Sequence, residues 1–200
     1  MWKILTAVIA ATILPLAAFA AIETPNAALT DASTKIKTIV SKNVPKGTPA
    51  EAKMKEDVRT VVSSFLDYKE LAKRSMGKHW ADLTDAQKTE FTGLLRDLIE
   101  ASYLNKISGN ADYKMEIVEE ADEGGEPLVV AKLSAKGGVV NVGFKLHNAG
   151  GKWLCFDLLI DEVSTMRNYR GEFNKIIKDQ GYPALVKRMK DKLVEVKAKG

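Results

Sequence analysis

The segment 153–160 is apolar on both sides when it is read as a strand. Successive side chains of a strand point to opposite faces of the sheet. One face is therefore predicted to carry Trp153, Cys155 and Leu159. The other face is predicted to carry Leu154, Phe156, Leu158 and Ile160, and Asp157 alone interrupts the run. A strand with two apolar faces has to be covered on both, which predicts a sheet packed between other elements.

Helix starts are marked at three places by a side chain that can cap the first turn, followed three residues later by Glu or Gln. These pairs are Thr48 with Glu51, Asp67 with Glu70, and Thr84 with Gln87. Apolar residues then recur at helical spacing, as in Met54, Val58, Val61, Val62 and Phe65 or Phe91, Leu94, Leu95 and Leu98. A further helix is predicted near 29–40, and Gly77 is predicted to end the helix that starts at Asp67.

The hydrophobic period changes after Gly109. Four segments alternate in the manner of strands, at 112–120, 128–135, 139–146 and 153–160. Glycines stand between them at the positions where tight reversals need them. After the strands, helical periodicity returns, with a stop at Gly181 and a restart at Pro183. The predicted fold class is α+β, with helices packed on a four-stranded antiparallel sheet.

The first 20 residues have the composition of a secretory signal. Lys3 precedes an apolar stretch, and Ala18-Phe19-Ala20 resembles a cleavage site. The domain prediction is therefore a signal peptide at 1–20 and a single domain at 21–200. Cys155 is the only cysteine, so an internal disulfide is excluded, and an exported chain of this kind is typical of a bacterial periplasm.

Signals of catalysis are weak in this sequence. His79 and His147 stand in no metal-ligand spacing, and Ser164, which could be combined with His147 and Asp157, lacks the sequence of a nucleophile elbow. We predict no catalytic residue, no metal and no cofactor. The net charge of +4 is concentrated near the C-terminus, where the basic residues fit the solvated face of a helix or a surface for an anionic partner. Nucleic acid is not expected as a partner, because no binding motif is present.

Two segments resemble the MlaC family, also called Ttg2D, of periplasmic phospholipid-binding proteins. The first, 65–95, combines an aromatic-containing helix, a small-residue break before Trp80 and the helix start at Thr84. The second, 152–185, combines the two-sided strand, a polar corner and two helices. One departure is Glu162, which stands where many members of the family have Gly before the Val-Ser of the corner. Gly often supplies backbone conformations that Glu adopts only at a cost.

The resemblance implies an apolar pocket between helices and sheet that binds the acyl chains of a phospholipid. It also implies a monomeric shuttle that maintains outer-membrane lipid asymmetry. The implied partners are the periplasmic domain of an inner-membrane ABC lipid transporter and an outer-membrane lipoprotein–porin complex. A hopanoid or another apolar lipid is the alternative ligand. A small periplasmic enzyme acting on lipids is the alternative of a different class.

Candidate lipid contacts follow from the predicted strands and the resemblance. Val142 and Phe144 share a face by the two-residue period, and Phe156 on the next strand is expected to join them. The full set of candidate contacts is Val142, Phe144, Phe156, Leu158, Trp153, Tyr103, Leu104 and Tyr169. For each of these, packing in an ordinary core is the competing interpretation. Arg167 and Arg170 are candidates for the headgroup, and the alternative for Arg170 is an ion pair with Asp157 or Asp161.

Overall fold

The computed structural model describes residues 24–42, 44–107, 113–122, 124–135 and 138–198, with the backbone alone at 103–107 and 135. The predicted signal peptide therefore lies outside the described residues. The helices are α1 (Pro25–Val40), α2 (Pro49–Phe65), α3 (Tyr68–Met76), α4 (Asp85–Ile107), α5 (Thr165–Gln180) and α6 (Tyr182–Ala198). The strands are β1 (Lys114–Asp122), β2 (Pro127–Ala135), β3 (Gly138–Asn148), β4 (Trp153–Ile160) and β5 (Val163–Ser164).

The predicted helix caps are present. At the start of α4, the backbone N–H of Thr84 donates to the side chain of Gln87 at 2.9 Å, and the N–H of Gln87 donates to Thr84 Oγ1 at 3.2 Å. At the start of α3, Asp67 accepts a hydrogen bond from the N–H of Glu70 at 2.9 Å. These bonds satisfy backbone donors that have no partner inside the helix. Because helix starts need such side chains, the three starts could be recognised in the sequence.

The five strands form one antiparallel sheet in the order β1-β2-β3-β4-β5. The α+β class and the meander are confirmed. The sheet has five strands where four were predicted, because β5 has only two residues and is too short to show an alternating pattern. It pairs with the end of β4, directly before α5 begins.

The apolar side chains of the described residues pack in two large clusters and a small one, which joins Val40 of α1 to Val58 of α2. The larger core joins α3, α4, α5 and α6, where Phe91 and Phe173 meet edge to face at 5.5 Å between ring centroids. The second core lies between α1 and the sheet and contains Ala28, Leu29, Val129, Ala131, Leu146 and Cys155. We call the side of the sheet that packs on α1 the α1 face. Within the described part of the chain, no helix is long and apolar enough to cross a membrane.

Candidate functional site

The α1 face carries a buried apolar centre with a half-buried apolar margin. Ala28 and Leu29 of α1 pack against the centre of this face. Seven partly buried side chains surround the centre, and we call them the apolar seam: Phe65, Leu66, Met115, Ile117, Phe144, Trp153 and Leu158. Partly buried apolar groups lose further water when another apolar group covers them. The seam therefore has surface left with which to contact hydrocarbon.

Strand β4 does not alternate as a regular strand would. In its pairing with β3, Leu158 lies opposite Phe144, and Cys155 lies opposite Leu146. Phe144 and Leu146 share a face, so Leu158 and Cys155 share it as well, although they are three residues apart. Phe156 has no opposite residue, which is the arrangement of a β-bulge. The predicted grouping of Leu158 with Phe156 is therefore wrong.

Phe156 lies on the face of the sheet opposite to the α1 face. Its ring contacts the ring of His147 edge-on at 5.8 Å between centroids, and the guanidinium of Arg74 lies 3.9 Å from its centroid. The prediction that Phe156 joins the surface of Val142 and Phe144 is wrong, because the bulge shifts the alternation by one residue. With 2% of its surface exposed, Phe156 is a core residue.

The α1 face brings together four of the predicted lipid contacts, namely Val142, Phe144, Trp153 and Leu158. Phe144 lies 6.4 Å from Phe65 of α2, measured between ring centroids. Tyr169 lies elsewhere, stacked on Phe173 at 5.3 Å in the core of the helices. The side chains of Tyr103 and Leu104 lie outside the described residues. That the four residues of the α1 face bind lipid stays a prediction.

Sequence reasoning did not select several members of the seam. Met115 and Ile117 enter it because β1 pairs with β2 in a register that places Ile117 opposite Ala131. Their alternation is visible in the sequence and could have identified them. Phe65 appears in the sequence only as the last residue of the apolar stripe of α2, and Leu66 follows the helix without a pattern; only the packing of α2 on the sheet brings them to the seam.

A small apolar cavity lies where the break between α2 and α3 meets β4. Its volume is about 30 Å³. Its walls are formed by Leu66, Asp67, Leu71, Ile99, Cys155, Phe156, Asp157, Leu158, Ile160 and Thr165. Pockets that bind small organic ligands have volumes of roughly 300–1,000 Å³, so this cavity is far too small for an acyl chain. Leu66 and Leu158 belong to both the cavity and the seam, which makes the two continuous.

Backbone and side-chain bonds hold the break between α2 and α3 against β4. Leu66 forms an isolated parallel bridge with Cys155. The N–H of Asp67 donates to the carbonyl oxygen of Cys155 at 2.7 Å, and the Asp67 carboxylate lies 3.0 Å from Nε2 of His147. These contacts set the position of one wall of the cavity.

The corner between β4 and α5 is organised by a buried carboxylate. Asp157, which is 2% exposed, accepts hydrogen bonds from Ser164 Oγ at 2.5 Å and from the N–H of Met166 at 2.8 Å. Ser164 Oγ in turn accepts from the N–H of Arg167 at 3.0 Å. The predicted role of Ser164 as the N-cap of α5 is confirmed. The positive end of the helix dipole favours the negative charge of Asp157.

The candidate headgroup residues occupy the exposed side of α5. Arg170 donates from Nε to the carbonyl oxygen of Arg74 at 2.8 Å. The alternative for Arg170, an ion pair with Asp157 or Asp161, is not formed among the described residues, and the two oxygens of Asp157 are bonded to Ser164 and Met166. Arg167 is exposed in the first turn of α5. A role for Arg167 or Arg170 at a headgroup stays a prediction.

Glu162 lies in a tight turn between β4 and β5 with a backbone conformation that favours Gly. Asp161 and Glu162 have φ of 48° and 66°, and Ile160 pairs with Val163 on either side of them. Two consecutive positive φ values in a two-residue hairpin loop are those of a type I′ turn. Glu162 therefore adopts the conformation that Gly would adopt more easily at this position.

The groups considered for catalysis have separate partners. His147 is bonded to Asp67, and Ser164 is bonded to Asp157, so they do not form the Ser-His pair of a triad. The thiol of Cys155 is buried and donates to the carbonyl oxygen of Asp157 at 3.3 Å, and burial raises its pKa well above the ordinary value. No cluster of potential metal ligands occurs among the residues that the structure describes.

A polar cleft of about 850 Å³ lies between α2, α4 and the end of α6, and sequence reasoning did not identify it. At its base, the Glu100 carboxylate is 7% exposed and accepts from Ser63 Oγ at 3.0 Å, Tyr68 Oη at 3.3 Å and Arg59 Nε at 2.9 Å. Burial and the nearby charge of Glu100 raise the pKa of Tyr68. The donors satisfy the buried carboxylate, which makes this network a structural link between α2, α3 and α4.

Comparison with known proteins agrees with the fold and with the resemblance. Residues 30–191 match the family described as MlaC protein. The chain belongs to the MlaC family. No curated protein matches this chain.

A solved structure similar to this MlaC-family chain is a phospholipid-binding protein from Ralstonia solanacearum in complex with a phospholipid. The two structures superpose with a TM-score of 0.74 and 16% sequence identity, over 85% of this chain and 97% of the Ralstonia chain. At this identity the likeness establishes a shared fold.

Proposed function

We propose that this chain is a periplasmic carrier that binds phospholipid by its acyl chains. The observation that carries the proposal is the half-buried apolar seam on the α1 face of an MlaC fold. A related fold from Ralstonia solanacearum holds a phospholipid, which supports the same class of ligand here.

Hydrocarbon burial supplies enough free energy for such a carrier. Each buried CH₂ group contributes about 0.8 kcal/mol, so two acyl chains contribute on the order of 20 kcal/mol before the costs of binding. A domain of this kind is stable by only about 5–15 kcal/mol. Release of the lipid therefore requires a partner that covers the acyl chains as they leave. We infer loose specificity for the headgroup, because apolar contacts do not distinguish headgroups.

The cavity has to widen for binding, because its volume of about 30 Å³ is far below the roughly 300–1,000 Å³ of pockets that bind small organic ligands. We place the chains along the seam, with Phe144 and Leu158 on the sheet side and Phe65 and Leu66 on the helix side. Binding in this place needs neither a metal nor a catalytic group.

The proposed route of the lipid runs between two membrane complexes. One is an inner-membrane ABC lipid transporter with a periplasmic domain, and the other is an outer-membrane lipoprotein–porin complex. The carrier acts between them as an exported monomer, and its transport maintains the asymmetry of outer-membrane lipids.

Native mass spectrometry of the protein purified from a bacterial periplasm tests the proposal. We expect a bound species that organic extraction identifies as phospholipid with mixed headgroups. The delipidated protein is expected to take up phospholipid from phosphatidylglycerol vesicles and to melt at a higher temperature when loaded. Extraction of a polycyclic lipid instead would favour a hopanoid carrier. A protein that carries no lipid and takes none from vesicles would refute lipid transport.

A further inference from the structure

The apolar cavity lies between a wall of helices and a wall of sheet. Leu66 and Asp67, at the break between α2 and α3, belong to the helix wall. Cys155 and Leu158 of β4 belong to the sheet wall. Leu66 ends α2 with an extended backbone, at φ of −88° and ψ of 128°. Since the cavity holds only about 30 Å³, an acyl chain that enters between Leu66 and Leu158 must move the two walls apart.

A bond between two side chains crosses from the helix wall to the sheet. The Asp67 carboxylate accepts from the N–H of Glu70 at 2.9 Å with Oδ1, and its Oδ2 lies 3.0 Å from Nε2 of His147 on β3. His147 does not line the cavity, and its ring contacts the ring of Phe156, which does. The pair therefore ties the start of α3 to the sheet directly beside the cavity.

The exposure of this pair suits a bond that forms and breaks. The side chain of Asp67 is 20% exposed and that of His147 is 25% exposed. Polar groups that water can reach exchange a bond to each other for bonds to water, so the net contribution of such a bond to stability is small. The apolar contacts across the cavity are in turn replaced by contacts with the entering hydrocarbon. Separation of the walls therefore breaks the pair without leaving a buried polar group unsatisfied.

We propose that the Asp67–His147 pair is a latch, which is formed while the cavity is closed and broken when acyl chains move the walls apart. The inference rests on the proposed function, since it concerns how the carrier opens for phospholipid. If lipid binding breaks the latch, linkage requires that loss of the latch strengthens lipid binding by the same factor. The pair thus limits the affinity by stabilising the closed form, and not by contact with the lipid.

Two single variants break the latch with little other change. Asp67→Ser keeps an oxygen that caps α3, because Ser and Asp are comparable N-caps, but its shorter side chain does not reach His147. His147→Phe keeps a ring against Phe156 and has no nitrogen to bond to Asp67. Each variant is expected to bind a fluorescent phosphatidylglycerol roughly 2–10-fold more tightly than the wild type, from the net contribution of one hydrogen bond. The measurement is the partition of this lipid between vesicles and delipidated protein at a fixed pH.

The double variant distinguishes a latch from a general loosening of the fold. If one bond is responsible, either substitution removes all of it, so Asp67→Ser/His147→Phe is expected to bind lipid no more tightly than the single variants. Two independent effects would instead multiply. His79→Phe is the matched control, because it removes a bond of 2.9 Å between His79 Nε2 and Asn174 Oδ1, neither of which lines the cavity. This variant is expected to bind lipid as the wild type does.

Unchanged or weaker lipid binding by the single variants would overturn the latch, and so would a double variant that shows the product of the two single effects. A variant that fails to fold is identified by circular dichroism. The remaining single variant then decides, with tighter binding supporting the latch and unchanged binding overturning it. Failure of the wild type to take up any phospholipid would instead refute the proposed function, so the two failures are distinguishable.

Discussion

Phe144 and Phe156 provide a matched test of where the site lies. They are identical side chains on neighbouring strands, but Phe144 is half-buried in the apolar seam and Phe156 is 2% exposed on the opposite face. Truncation of a buried Phe to Ala costs about 3–5 kcal/mol. For a domain of this size, each kcal/mol lowers Tm by about 2–4 °C. Phe156→Ala is therefore expected to lower Tm by roughly 6–20 °C.

Phe144→Ala is expected to affect lipid binding more than folding. Since part of the Phe144 ring remains exposed in the folded state, its removal costs only about 1–2 kcal/mol of folding free energy. A similar loss of contact with an acyl chain corresponds to a roughly 5–30-fold weaker retention of lipid. Thermal unfolding of the delipidated variants measures the first effect. Transfer of a fluorescent phospholipid to acceptor vesicles measures the second.

The opposite pattern would refute this reasoning. If Phe156→Ala melts like the wild type but loses lipid, while Phe144→Ala retains lipid, the lipid lies against the face of the sheet that carries Phe156. Phe156→Leu is the control for stability, because a smaller change of volume should restore most of the stability while it keeps most of the cavity wall that Phe156 forms.

Three further predictions concern the corner and the buried thiol. Glu162→Gly should raise the free energy of unfolding by up to about 1 kcal/mol in urea titrations, because the positive φ costs Gly little. Asp157→Ala should lower it by about 1–3 kcal/mol for each of the two donors, Ser164 Oγ and the N–H of Met166, that lose their acceptor, and Asp157→Asn by less, since Asn can still accept the N–H of Met166. Cys155 should not react with a thiol reagent at pH 8 until the protein is unfolded, because burial raises its pKa and excludes the reagent.

Each of these predictions has a contradicting outcome. A less stable Glu162→Gly variant would show that the turn prefers Glu for a reason other than its φ value. Equal stability of the Asp157→Ala and Asp157→Asn variants would argue against the hydrogen bonds at the start of α5. Rapid modification of native Cys155 would mean that β4 opens frequently.

The architecture was largely predictable from local patterns. The caps at Thr48, Asp67 and Thr84 are formed by residues three positions apart, so their signal lies within a single helical turn. The strands were predicted by alternation, and their consecutive order and short connections predicted the antiparallel pairing. Membership of the MlaC family was also predictable, because two long segments of the sequence resemble the family.

The candidate site was predictable only in part. Val142, Phe144, Trp153 and Leu158 were selected from the sequence, and all four lie on the α1 face. Phe156 was placed on the wrong face, because the prediction assumed regular alternation along β4. A bulge depends on the register between two strands and cannot be recognised from the alternation of one strand. The alternative for Arg170, an ion pair with Asp157 or Asp161, was also wrong among the described residues, since Asp157 accepts from Ser164 Oγ and the N–H of Met166 while Arg170 donates to the carbonyl oxygen of Arg74.

By itself, the sequence determined the elements of this protein, because caps, periodicity and turns are interactions between residues close in the chain. Tertiary structure alone decided which apolar residues became core and which remained half-buried. The burial of Phe65, Leu66 and Ile99 depends on how α2 and α4 pack against β4. These elements are far apart in the sequence, so no local pattern predicts their packing. An apolar side chain is equally suited to a filled core and to a lipid surface, so only the packing around it separates the two.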